Sequence, residues 1–328
     1  MDDKESILSD FVMHLRTTTN KRGRPFQRRT VNAYRSSVVA LAKWLDSPTG
    51  GAGGDFLACD AATLNRFFRW YYVTHDVPKS HDGQGGYTGG TNTQQRNLAP
   101  FFQWLEDEYE HPSPWRDKTF QRYATPALGK PKTLTSDFVG DVLKVTGGGS
   151  PRVKDFETLR DFAILCVLTD GLRAEELLTL TLDSLHLAEG IVYVIPLKGQ
   201  RNSTDLRPVP LQPRTVVALR RYLRARALHK AAASPHLWLG VRGQASIAYM
   251  ALYRMVKRRA EQAGYNPAEV TPHSFCHTWC DSLLSSGVSG ENVMAVRGWT
   301  SHRMLLRYGA DQASNRAVAA VQKLGDRY

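Results

Sequence analysis

The chain has 328 residues, 42% hydrophobic and 23% charged, and its 43 Lys and Arg against 31 Asp and Glu give a net charge of +12 at pH 7. That length supports two hydrophobic cores and the composition is that of a folding chain, which excludes an intrinsically disordered protein. The positive balance favours a polyanionic partner, nucleic acid ahead of an anionic membrane surface; with no long apolar run and an acidic start, MDDKESILSD, neither a membrane span nor a secretory leader is expected.

Four cysteines (59, 166, 276 and 280) are too few for a disulfide framework and suit free thiols in a reducing compartment. The stretch RTTTNKRGRPFQRR, residues 16–29, gathers Arg16, Lys21, Arg22, Arg24, Arg28 and Arg29. It reads either as a solvated arm or as a set of phosphate contacts, and the overall charge favours phosphate. In TVNAYRSSVVALAKWL, residues 30–45, Val31, Tyr34, Val38, Leu41 and Leu45 recur at helical spacing, predicting an amphipathic helix with Thr30 as its N-cap. SPTGGAGGD breaks it, and DAATLNRFFRWYYVTH predicts a second helix from Asp60. A glycine-rich loop, HDGQGGYTGG, precedes a third helical pattern over 92–109, where Pro100 should kink the helix or mark its start. The N-terminal part, residues 1–115, thus reads as a small helical bundle. The segment that follows is proline-dotted, basic and aperiodic, and 116–133 is read as an interdomain linker.

In the C-terminal part, 134–328, TSDFVGDVLKV and ETLRDFAILCVLTDGLRAEELLTLTLDSL look helical, the second broken at Gly171. IVYVIPLKGQ (191–200) and DLRPVPL (205–211) flank a polar turn that carries Lys198 and Arg201, predicting a β-hairpin. RTVVALRRYLRARALHK returns to helical spacing, and no fixed-period repeat appears, which excludes a solenoid. The expected fold is mainly α with a small β-sheet.

The segment TPHSFCHTWCDSLL places His273, Cys276, His277 and Cys280 on one helix face. Four ligands on a single helix approach an ion from one side, whereas structural zinc sites draw theirs from two elements, so no metal is expected here. Taken with GLRAEEL (171–177), LKGQ at the hairpin tip and RGWTSHRMLLRYG (297–309), the segment resembles the tyrosine recombinase family of the phage-integrase type. That family carries an arginine in a G-L-R-x-x-E-L helix start, a lysine in a β-hairpin turn, an H-x-x-R-H-T segment, and a G-H or G-W pair nine residues before a nucleophilic tyrosine. The matching positions are Arg173 with Glu176, Lys198, His273 with His277 and Thr278, Trp299 after Gly298, and Tyr308, nine residues beyond Trp299. Singly, these residues read as a surface ion pair, a solvated turn lysine, structural histidines and packed aromatics. Their joint order and spacing carry the resemblance. One position departs: Cys276 stands where the family has its second arginine.

The resemblance implies an N-terminal helical core-binding domain and a mixed α+β catalytic domain ending in a C-terminal helix. It implies site-specific DNA recombination through a 3′-phosphotyrosine, serving integration, excision or transposition of a mobile element, without metal or other cofactor. Implied partners are double-stranded DNA bearing specific sites and three further copies of the chain, joined in a tetrameric synapse through a terminal helix carrying Ala317, Val318, Val321 and Leu324. The implied location is the bacterial cytoplasm, on the nucleoid.

Implied roles are Arg173 as phosphate clamp, Glu176 as its support, Tyr308 as nucleophile, His273 as proton acceptor, Lys198 as general acid and Trp299 as an indole N–H donor, with Arg201 and the basic arm contacting DNA. Phosphodiester attack piles negative charge on nonbridging oxygens, which a planar guanidinium fork matches. Loss of one such donor typically slows chemistry by roughly 10² to 10³, so Cys276 implies an activity-reduced chain, either a substituted or a natural variant, and Cys276→Arg is expected to speed cleavage by about a hundredfold or more. Arg297, Arg303 and Arg307 are the nearby basic residues able to supply part of the missing charge. Two other readings stay open: a DNA-binding accessory protein that keeps the fold without chemistry, and a type IB topoisomerase or hairpin telomere resolvase.

Overall fold

The computed structural model describes residues 4–20, 23–50, 54–76, 89–125, 133–195, 206–299, 301–308 and 313–323. The chain divides into two units, Met1–Leu128 and Gly129–Tyr328, each around its own core.

The first unit is helical: α1 (Lys4–Thr17), α2 (Arg28–Leu45), α3 (Ala61–Tyr71) and α4 (Gly90–Tyr109). Helix α1 was not anticipated, because the polar start masks a stripe of Ile7, Phe11 and Leu15 that turns inward at every fourth residue. Helix α2 starts at Arg28 with Gln27 at its cap, so Thr30 sits inside the first turn and not at the N-cap expected for it. Asp60 does cap α3, accepting from the Thr63 N–H at 2.8 Å. Helix α4 runs unbroken through Pro100 from Gly90, so the proline does not mark its start. Asp76 anchors that start by accepting from the N–H groups of Gly90 (2.9 Å) and Thr91 (2.8 Å). The core is aromatic, with Phe101 edge-on to both Phe11 and Phe56 at centroid separations of 5.1 and 5.0 Å. The division at 128/129 falls inside the segment read as a linker. The earlier part of that segment packs on the first unit, where Phe120 joins the aromatic core and Gln95 bonds the backbone of Gln121 and Tyr123.

The second unit contains α5 (Ser136–Thr146), α6 (Phe156–Thr169), α7 (Ala174–Leu178), β1 (Leu185–His186), β2 (Ile191–Val194), β3 (Arg207–Pro210), α8 (Pro213–Ala227) and α9 (Tyr249–Gln262). It ends in α10 (Pro272–Ser285), α11 (Gly290–Arg297), α12 (His302–Tyr308) and α13 (Ala313–Gln322). The strands form one antiparallel sheet in the order β1-β2-β3, with Val192 opposite Val209 and Val194 opposite Arg207. The β2–β3 hairpin is where the sequence places it; β1, two residues long, is too short to show a period. The tip of the hairpin, with Lys198 and Arg201, lies outside the described residues, as do Lys21 and Arg22. Helix α6 is buried almost all round, from Leu159 through Leu168, which explains its near-continuous apolar run and its place at the centre of the unit, against α5, α8 and α10. The chain is therefore mainly α with a small sheet.

Candidate active site

The site is built on the corner between α6 and α7. After Thr169 the chain turns through Gly171, whose φ of +88° suits glycine, and a Cβ there would lie 2.4 Å from the Trp279 ring. Two residues on, Arg173 is the N-cap of α7, and Glu176 reaches back to accept from its backbone N–H at 2.9 Å. The same carboxylate is ion-paired with the Arg173 guanidinium, and at 2.9 Å with Arg207 Nη2. Arg207 also donates through Nη1 to the carbonyl of Val296, so Glu176 couples the α6–α7 corner, strand β3 and helix α11. Burial pushes the Glu176 carboxyl upward, but Arg207, Arg173 and, more weakly, Arg297 outweigh it and hold the group below its ordinary value. A support role for Glu176 was expected on resemblance; Arg207 was not. Its signal is the inward alternation of Arg207 with Val209 in DLRPVPL, which places a guanidinium on the core face of a strand.

Helix α10 begins at Pro272 behind a Thr271 cap, its hydroxyl accepting from Ser274 N–H at 3.3 Å. His273 is exposed on the first turn, its ring 4.7 Å from that of buried His277 in an edge-to-face arrangement. The Thr278 hydroxyl accepts from Leu134 N–H at 2.7 Å. Cys276 is fully buried: its thiol donates to the carbonyl of Leu172 at 3.1 Å and to that of Gly171 at 3.7 Å. Burial raises its pKa, which the neighbouring Arg297 opposes by its charge and a side-chain hydrogen bond. Cys280, pushed up to about 11 mainly by burial, packs with Trp279, Val293 and Trp299. The two thiols therefore sit in packing, and among the described residues no cluster of three or more His, Cys, Asp or Glu is arranged to hold a metal ion.

Arg297 ends α11, with Gly298 as a left-handed cap at φ +63°. Only 1% of Arg297 is exposed. Its Nη1 donates to the Gly171 carbonyl, and its guanidinium carbon lies 5.6 Å from the Trp279 ring centroid and 5.4 Å from that of Trp299. Met304 and Leu305 of α12 pack on this same cluster, which holds in place the short helix whose last residue is Tyr308. Beyond it, α13 exposes Val318 and Val321 and is tied to α10 by an Arg316–Asp281 ion pair.

The structure thus brings Arg173, Glu176, Cys276 and Trp299 to one corner, with His273 one turn before Cys276. The Tyr308 backbone closes α12; its side chain and Lys198 lie outside the description. Arg16, Arg24, Arg28 and Arg29 are exposed on the first unit.

The model of the phage integrase family matches residues 152–315, half of the chain, from the loop before α6 to the start of α13. The chain belongs to that family. By class it is a tyrosine-type, site-specific recombinase, and the matched region contains every residue of the corner described above. Relatives include the tyrosine recombinase XerD of Xanthomonas axonopodis pv. citri, 29% identical over 286 residues and covering 84% of each chain. XerD of Pseudomonas aeruginosa is 33% identical over 178 residues, 53% of this chain and 56% of the relative. Among solved structures, the Tn1549 transposon integrase in complex with transposon right end DNA has a TM-score of 0.67 at 17% identity, covering 98% of this chain and 99% of that one. The XerH site-specific recombinase bound to a palindromic difH substrate, in a post-cleavage complex, has a TM-score of 0.67 at 14% identity, covering 97% and 96%. The structural neighbours speak to the fold.

Proposed function

We propose that this chain cuts and rejoins specific sites in duplex DNA through Tyr308, in the service of integration, excision or transposition of a mobile element. The phenol oxygen attacks the phosphorus, the bond to the 5′ oxygen breaks, and the 3′ phosphate is left on the tyrosine. The phenol proton passes to His273, and the departing 5′ oxygen takes a proton from Lys198. The reverse attack by a 5′ hydroxyl reseals a strand without a nucleotide, because the phosphotyrosine conserves the bond energy.

The observation that carries this reading is the fixed state of Arg173. Its backbone and guanidinium are both held by Glu176, which is itself locked by Arg207, while the Arg173 side chain keeps 18% of its surface exposed at the corner. A cation braced from behind and open in front is preorganised for charge that develops on a phosphate, which is the largest contribution such sites make. His273, exposed on the first turn of α10, is the candidate proton acceptor in this reading. Support for DNA as partner comes from the +12 charge and from the DNA-bound state of structurally similar recombinases. The exposed Val318 and Val321 on α13 support assembly of four copies on two sites through that helix. Cytoplasmic action on the nucleoid goes with a DNA substrate.

The test uses duplexes of randomised sequence carrying a single nick, so that the cut end is lost and resealing is blocked. Adducts that survive detergent are expected with the natural chain and absent with Tyr308→Phe. Binding of DNA without adduct by both proteins favours a non-cutting accessory role, a reading to which Cys276 lends support.

A further inference from the structure

We infer that Arg297 supplies the positive charge that the family places at position 276, so that the second guanidinium of the site has moved from α10 to the end of α11. The inference rests on the proposed strand cleavage. Cys276 and Arg297 are on different helices, yet both donate to the carbonyl of Gly171, two residues before Arg173. An arginine side chain is thus delivered from α11 to the spot beside which position 276 sits. Its environment fits that assignment. The guanidinium lies between the Trp279 and Trp299 rings, and Trp299 is the residue that matches the family's G-H or G-W position. The carboxylate of Glu176 feels three guanidinium groups, those of Arg207, Arg173 and Arg297, so the corner concentrates positive charge around one negative group. Burying a cation is expensive, and an apolar residue would fill the same space between two tryptophans at lower cost. Glu176 offsets part of that cost, and a polyanion at the corner would offset the rest through the field of a guanidinium that is itself only 1% exposed.

Cys276 suits this arrangement in size as well as charge. Its short side chain ends at the Leu172 carbonyl, and the volume that a guanidinium rooted at 276 would take is left to the one rooted at 297. On this inference the two positions are exchangeable: both side chains are aimed at the Gly171 carbonyl, so an arginine at 276 calls for a smaller residue at 297. The gain expected for Cys276→Arg alone on sequence grounds then disappears, because the added guanidinium would compete with Arg297 for the Gly171 carbonyl.

The experiment measures single-turnover cleavage of the nicked duplex recovered by adduct formation, using the full chain and its variants. Arg297→Ala is expected to slow cleavage by about a hundredfold or more, the typical cost of removing one preorganised donor, with Arg297→Lys falling between the two because it keeps charge without the fork. The decisive arm is the double variant Cys276→Arg with Arg297→Ala, expected to return to within about tenfold of the natural rate, since a merely structural loss at 297 gives no reason for rescue from 276. Thermal melting of each variant follows folding. The inference is overturned if Arg297→Ala cleaves within about threefold of the natural chain, or if its loss is accompanied by a collapsed melting transition and is not rescued by the double variant. It is also overturned if the natural chain is inert while Cys276→Arg alone cleaves, a result that leaves the proposed chemistry standing. Absence of adducts from the natural chain, from Cys276→Arg and from the double variant overturns the strand-cleavage reading itself, and this inference with it.

Discussion

Glu176 has no exposed surface and carries a charge, a combination that proteins tolerate only when the charge is paired. Here Arg173 and Arg207 pair it, and removing the negative member leaves two guanidinium groups facing each other in a buried corner. Glu176→Gln is therefore expected to destabilise the protein by about 3 kcal/mol or more, read from chemical or thermal unfolding. The pH dependence has a defined sign. The folded-state pKa lies below the ordinary 4.5, so Glu176 contributes stability that is fully present above that value and is lost as pH falls through the lower folded pKa. The acid limb of the stability curve should be shallower in the variant. Equal midpoints and parallel acid limbs would show that the pair contributes nothing. In the sequence, membership of a motif singled out Arg173, His273, Trp299 and Tyr308 as candidates. Arg207 was not recognised as part of the corner, and Arg297 was only one of three nearby basic residues, with Arg303 and Arg307, that could supply charge there, because which carbonyl and which carboxylate each guanidinium meets is set by the fold.

At the scale of elements, the geometry of the corner depends on Gly171. Its positive φ and the closeness of Trp279 both exclude a side chain, and its carbonyl receives Arg297 and Cys276. Gly171→Ala is expected to cost more stability than Gly264→Ala by at least about 1 kcal/mol, because residue 264 shares a positive φ of +83° but has open space around a Cβ. Equal losses would show that backbone strain alone matters and that the Trp279 contact does not. Most helices were readable from their periods, and the hairpin from alternation across a polar turn. Not read from the sequence were α1, whose apolar stripe is interrupted by charges, α9 and α11, to which no periodic stretch was assigned, and β1, with two residues; the start of α2 was misplaced, since Gln27 and not Thr30 sits at the cap position. Of the two readings offered for Pro100, a kink or the start of the helix, the start is excluded, because α4 already begins at Gly90.

At the scale of the whole molecule, two cores and a strongly basic composition were evident from length and charge alone, and the family followed from four motifs in order along the second unit. The exact division was not, because the proline-dotted stretch after α4 contains Phe120 and backbone partners of Gln95, which bind it to the first core although its composition reads as linker. The inferred relocation of charge from α10 to α11 rests on contacts of the folded chain that no single motif contains. It changes what Cys276 means, from a defect in the site to one half of an exchange.

The central claim is that Tyr308 becomes covalently joined to a 3′ phosphate of duplex DNA. Its most direct test is to trap the natural chain on a nicked duplex, digest protein and DNA, and identify by mass spectrometry the peptide that carries the nucleotide remnant. The account predicts a single modified peptide spanning Tyr308, with a phosphodiester to a 3′ oxygen. A remnant on any other residue, or on a 5′ oxygen, would contradict it.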